Sequence, residues 1–115
     1  MNLFSDKALK QTGLIIIVIN IGFYYRVKKG KEGDFEKKFR EVVDHLKANL
    51  PGFISAKLYK QVDDPQEYLI YTEWESLDSF KKFLASNSYK VTLEYGKSII
   101  EGRPTHRIFQ VTHVE

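Results

Sequence analysis

The sequence predicts an α+β domain of order βαββαβ, one antiparallel sheet with its helices on one face. Three observations predict it. Residues 66–86, QEYLIYTEWESLDSFKKFLAS, read as a strand that is apolar on both faces, a capped turn and an amphipathic helix. Residues 14–50 show the same succession of strand pattern, polar turn and helical stripe. Two further β-rich stretches, 53–61 and 106–114, supply the remaining strands, and two right-handed crossovers then bring all four into one sheet.

The elements follow in chain order. Residues 1–13 form an extension, either a loosely held tail or a short docking helix carrying Leu3, Phe4, Ala8 and Leu9. The domain proper is expected to span 14–115. Its first strand covers 14–27, with Gly22 marking a bulge or bend, Phe23 and Tyr25 pointing one way and Tyr24 and Arg26 the other. The first helix covers 33–50. Asp34 lies at its start, and Phe35, Phe39, Val42, Val43, Leu46 and Leu50 form its apolar stripe, with Asp34/Lys38 and Glu36/Arg40 as i,i+4 pairs. Asn49-Leu50-Pro51-Gly52 stops it.

In the second strand Ile54, Ala56 and Leu58 share one face and Phe53, Ser55, Lys57 and Tyr59 the other. The third strand, 67–74, sets Tyr68, Ile70, Thr72 and Trp74 against Leu69, Tyr71 and Glu73. Ser76 is placed to cap the helix carrying Leu77, Phe80, Phe83 and Leu84, with Asp78 favourable in its first turn. Asn87-Ser88 caps a second helical piece on which Tyr89, Leu93, Gly96 and Ile100 share a side, ended by Gly102 and Pro104; His106 and Arg107 then open the last strand.

Composition narrows the classes. A chain of 115 residues makes one domain with one core. A net charge of +3 is too small to indicate nucleic acid, and the run Arg26-Val27-Lys28-Lys29-Gly30-Lys31 reads as a solvated turn. The absence of cysteine removes disulfides and thiolate chemistry. The longest apolar run, residues 14–19, falls far short of the roughly 20 residues a membrane span needs, and it makes a poor signal peptide. A cytoplasmic protein is expected. The strands carry apolar residues on both faces, so the sheet face away from the helices would be a large exposed patch. A homodimer packed through that face is the expected remedy.

The segments YRVKKGKEGDFEKKFREV, LPGFISAKLYKQVDDPQEYLIYTEWES, FKKFLAS and EGRPTHRIFQ resemble the antibiotic biosynthesis monooxygenase (ABM) family of the dimeric α/β-barrel superfamily. The most telling motifs are Pro51-Gly52-Phe53 and Trp74-Glu75-Ser76 followed by Phe80. The resemblance implies a ferredoxin-like sheet forming a dimeric barrel, with a ligand cavity between each sheet and its own helices. Functions in the family range from cofactor-free oxidation of phenolic, quinol-forming compounds by O2, through haem degradation, to members with no assigned activity. The haem-degrading branch places a second tryptophan where Phe83 stands, a haem-ligating histidine where Leu93 stands and an asparagine where Phe23 stands, so that branch is the less expected one. The polyketide oxidases carry an asparagine where Ile70 stands, which weakens that mechanism too.

Candidate chemistry then concentrates on aromatic residues. Trp74 is either a stacking wall for a flat ligand or a core residue locking strand to helix. Among Tyr24, Tyr25, Tyr68 and Tyr71, a phenol that faces a cavity offers a ligand a hydrogen bond. Tyr24, Tyr71, Trp74, Phe83 and Tyr89 are the expected substrate-binding set. His106, whose ordinary pKa lies near neutrality, is the candidate general base, against simple exposure near a strand end. His45 and His113 read as surface residues. No spacing suggests a metal site, and no glycine-rich nucleotide loop is present, so neither metal nor cofactor is expected. The expected function is a homodimer that binds a small aromatic or quinol-like compound and oxidises it with O2 without cofactor. The alternative is a non-catalytic binding or stress-response protein on the same fold.

Overall fold

A computed structural model describes residues 18–115. Its elements are β1 (Ile19–Val27), α1 (Glu32–Asn49), β2 (Phe53–Lys60), β3 (Glu67–Trp74), α2 (Leu77–Leu84), α3 (Asn87–Gly96) and β4 (Ile100–Gln110). The strands form one antiparallel sheet in the order β2-β3-β1-β4, the ferredoxin-like arrangement. The expected extension 1–13 and the start of the expected first strand, 14–17, lie outside the described residues.

Register assigns the faces. Ile19, Ile21, Phe23 and Tyr25 of β1 pair with Trp74, Thr72, Ile70 and Tyr68 of β3, and this set faces the helices. Tyr24 pairs with Leu69 and Gly22 with Tyr71, on the opposite face. In β2 a bulge between Phe53 and Ser55 shifts the parity. Phe53 therefore joins Ala56 and Leu58 on the helix face instead of siding with Ser55 and Tyr59 as alternation predicts.

Gly22 is not a bulge: pairing runs unbroken through it to both neighbouring strands. Its missing side chain makes room for the Tyr24 ring, whose hydroxyl lies 3.2 Å from where a Cβ would stand. The Arg107 guanidinium sits over that ring at 5.2 Å. The irregularity lies on the other side of β1, where the register with β4 jumps between Tyr24/Thr105 and Arg26/Glu101.

Caps and ion pairs also differ in detail from expectation. Ser76 caps α2 as predicted, accepting from the Ser79 N–H at 3.1 Å. In α3 the cap is Ser86, accepting from Tyr89 N–H, rather than Asn87 or Ser88. The N-cap residue of α1, Lys31, makes no side-chain capping bond. Glu36 reaches across to β2 and β3 rather than to Arg40: it accepts from the Tyr68 hydroxyl at 2.6 Å and pairs with Lys60 at 3.1 Å. Helix α3 ends at Gly96, and Ile100 belongs to β4, which places His106 in mid-strand.

Candidate functional site

The two motifs that carried the family resemblance meet in space. The Gly52 carbonyl accepts from Glu75 N–H at 2.8 Å, tying the start of β2 to the corner between β3 and α2. Gly52 has φ +90°, and a Cβ there would lie 2.1 Å from Ser79 Oγ, so only glycine fits. Above this joint Trp74 is wholly buried, its ring at 5.3–5.6 Å from those of Phe53, Phe80 and Phe83. Its indole N–H donates to Thr72 Oγ1 at 2.8 Å, and Thr72 in turn donates to the Ile21 carbonyl at 3.0 Å. The buried side-chain polar atoms of this corner are therefore satisfied internally.

The layer between helices and sheet does not stay filled. One buried cluster holds Ile21, Phe23, Leu46, Trp74, Phe80 and Phe83, and a second holds Val27, Phe35, Tyr68, Ile99 and Ile100. Tyr25 and Ile70 touch both clusters, and both residues line a cavity of about 590 Å³. The middle of the α1 stripe, Phe39, Val42 and Val43, faces this cavity and is only half-buried. That volume lies within the range of roughly 300–1,000 Å³ typical of small-molecule sites.

The predicted residues divide between two faces. Trp74, Phe83 and Tyr89 line the cavity. Tyr24 and Tyr71 do not, because their register puts them on the sheet face turned away from the helices. Tyr25 takes the place expected of Tyr24. The signal for this was available: period-two alternation puts Tyr25 on the side of Ile21 and Phe23, and Tyr71 on the side away from Trp74. His106 lies on the helix face but is exposed, with its ring 5.9 Å from Phe23 and 5.7 Å from Phe80, and it does not line the cavity. His45 is exposed and faces the start of α3, hydrogen-bonded to Ser88 Oγ at 2.9 Å. His113 is exposed near the C-terminus beside Glu115. Among the described residues no cluster of metal-ligating side chains occurs, and no helix is long and apolar enough to cross a membrane.

Tyr25 and Tyr89 approach the hollow from opposite walls, packed on Phe35 and Phe83 respectively. Burial pushes the Tyr25 phenol well above its ordinary range, and the neighbouring Tyr89 pushes it the same way. Burial also raises Tyr89. Hydrogen bonds among the described residues engage Tyr68 and Trp74 but neither of these two phenols. Both therefore stay protonated near neutral pH, as donors without a partner among those residues, while the described lining residues include no carboxylate and no histidine.

Comparison with known proteins matches this architecture. The family described as antibiotic biosynthesis monooxygenase matches residues 17–95. A protein of Natronomonas pharaonis with the provisional name of a heme-binding protein is 30% identical over 86 residues; these cover 75% of this chain but only 14% of that protein's length. An uncharacterized protein of Bacillus subtilis, YczJ, is 32% identical over 65 residues, covering 56% of this chain and 67% of its own length. Among solved structures, SnoaB, a cofactor-independent oxygenase from Streptomyces nogalater, superposes with TM-score 0.74 at 20% identity, covering 84% of this chain and 95% of SnoaB.

Proposed function

The chain belongs to the antibiotic biosynthesis monooxygenase family, and on that premise we propose that it binds one small aromatic or quinol-like molecule between the sheet and its own helices. The observation that carries this reading is the cavity of about 590 Å³, walled by aromatic and aliphatic side chains. A flat ring packs between walls such as Phe23 and Tyr89, and Tyr25 and Tyr89 donate hydrogen bonds to its oxygens.

Cofactor-free oxidation would use the same parts. An electron-rich substrate anion passes an electron to O2 within a dry site, and the phenols stabilise the oxygen that bears the charge. Tyr25 and Tyr89 are donors rather than bases at neutral pH, because burial holds them protonated. His106 stands outside the cavity walls, so the substrate would enter as its anion or ionise on binding.

Native mass spectrometry followed by a denaturing run is expected to release an organic molecule of one aromatic core per subunit. O2 uptake with a panel of hydroquinones then decides between enzyme and binding protein. Uptake that falls in Tyr25→Phe supports oxidation; binding without uptake supports the non-catalytic alternative. Ligand-free protein that also binds none of the panel would overturn the reading.

The homodimer is part of the proposal. The sheet face away from the helices carries Tyr24, Tyr59, Leu69, Tyr71 and Phe109, and Tyr59 and Phe109 are 49% and 45% exposed. Packing two such faces together would remove the patch from water. A monomer in sedimentation at micromolar concentration would contradict it.

The name of the Natronomonas relative raises a second reading, a porphyrin in the same cavity. The described residues do not fit iron ligation. None of their histidines lines the cavity, and burial opposes the phenolate form of Tyr25 and Tyr89. Titration with hemin is expected to show no spectrum of a protein-ligated iron.

A further inference from the structure

We infer that the ligand of this cavity is an aromatic acid, whose charged group sits at the mouth against Lys38 and Arg103. The inference rests on the proposed binding role and adds the chemical class of the ligand. Besides tyrosines, the titratable side chains that line the cavity among the described residues are Lys38, Lys97 and Arg103, and none of these is acidic. The deep walls, Phe23, Trp74, Phe83 and Ile100, are buried, whereas Tyr95, Lys97, Gly102 and Arg103 are exposed. The hollow is therefore apolar at its floor and cationic at its opening.

The backbone brings Arg103 there. Tyr24 pairs with Thr105 and Arg26 with Glu101, so residues 102–104 bulge out opposite Tyr25, turning at Gly102 with φ +69°. Arg103 forms no ion pair with another described residue. Arg26, two rungs away in β1, is by contrast held by Asp64, Glu67 and Glu101 at 2.8–2.9 Å. Lys38, a second cation of the lining, is half-buried, its ammonium 4.7 Å over the Tyr95 ring and 3.7 Å from Glu41. Lys97 is paired with Glu94 at 2.9 Å and contributes less. An acid with an apolar ring body places its ring in the hollow and its anion between the two cations, where a charge-assisted contact is strengthened by the low-dielectric walls. The same cations favour ionisation of a bound phenol or enol, the step for which the described cavity walls hold no carboxylate or histidine base.

Two probes of nearly equal shape test this: anilinonaphthalenesulfonate and its uncharged parent, phenylnaphthylamine. Both are titrated by fluorescence against the full chain, a Lys38→Gln/Arg103→Gln double variant, and Thr92→Trp, which fills the hollow. The anionic probe is expected to bind the double variant about tenfold more weakly than the unaltered chain, and to weaken with added salt. The neutral probe is expected to bind both equally. Thr92→Trp is expected to weaken both probes. An anionic probe indifferent to the double substitution, with the neutral probe still bound and still displaced by Thr92→Trp, would overturn the acid inference and leave the cavity as a neutral-ligand site. Probes unaffected by Thr92→Trp, or that do not bind at all, would overturn the cavity reading together with this one.

Discussion

The two ends of the helix–sheet layer are built from the same residue types and behave differently. At the Trp74 corner, aromatic rings interlock and the polar atoms are paired. A few residues away, the equally apolar stripe of α1 faces a hollow. One difference is a close backbone approach at the corner. Gly52 lets the start of β2 come within contact of Ser79, so α2 is drawn down onto the sheet. None of the other described glycines makes so close an approach. Hydrophobic pattern thus selects which side chains face inward, but close backbone approach decides whether they fill the space or surround it.

Substitutions at the two ends should separate this comparison from one based on residue type. Trp74→Ala removes a fully buried ring and the hydrogen bond it donates to Thr72, and is expected to cost about 3–5 kcal/mol in denaturant unfolding. Val43→Ala, on the cavity wall, should cost less than about 1 kcal/mol, because much of the lost surface already faces open space. Comparable losses at the two sites would mean that the hollow is closed in solution. Gly52→Ala comes next in size. A left-handed φ and the collision with Ser79 together are expected to cost about 2–4 kcal/mol. A Gly52→Ala/Ser79→Gly double variant should recover the collision part and leave the conformational part.

These contrasts also explain what the sequence could and could not disclose. Strand parity was legible, because Ile21, Phe23, Tyr25 and Val27 form an apolar row next to a polar one, and the resemblance of the PGF and WES segments carried the fold. The same parity shows why Tyr24 and Tyr71 belong to the other face. The hollow was not legible: Phe39, Val42 and Val43 have the same helical spacing whether they pack or line a cavity. Nor was the bulge at residues 102–104. Gly102 and Pro104 read as a helix stop, and only pairing with β1 turns that signal into an interruption of a strand. Alternation puts Phe53 on the side of Ser55 for a related reason, since one extra residue in β2 reverses the parity without any mark in composition.

A Val43→Leu substitution sharpens the comparison from the cavity side. In a packed core an added methylene brings strain, but here it enters open space, so stability is expected to change by less than about 0.5 kcal/mol or to rise, while ligand affinity falls. Tyr25→Phe tests the phenol at the same place through pH. In the folded chain the Tyr25 pKa is raised, so the folded state keeps a proton that the unfolded state releases above its ordinary value of 10. The stabilisation is present below pH 10 and lost as pH climbs further. The unaltered chain should therefore lose stability above pH 10 more steeply than Tyr25→Phe.

The smallest expected effect lies outside the hollow, at the clasp that holds α1 to the strands. Glu36 accepts from Tyr68 and pairs with Lys60, and these contacts, Tyr68 first, lower its pKa below the ordinary 4.5. A lowered carboxyl pKa means that the unfolded state binds the proton first as pH falls. The contribution is whole above pH 4.5 and disappears as pH drops through the folded value. Solvent screens the clasp, so Glu36→Gln should shift the melting temperature only slightly at pH 7, and the gap between variant and unaltered chain should close in acid. A gap that persisted in strong acid, once Glu36 is protonated in both states, would show that Glu36 acts there by packing or by neutral hydrogen bonding, and that charge is not what holds the helix above its cavity.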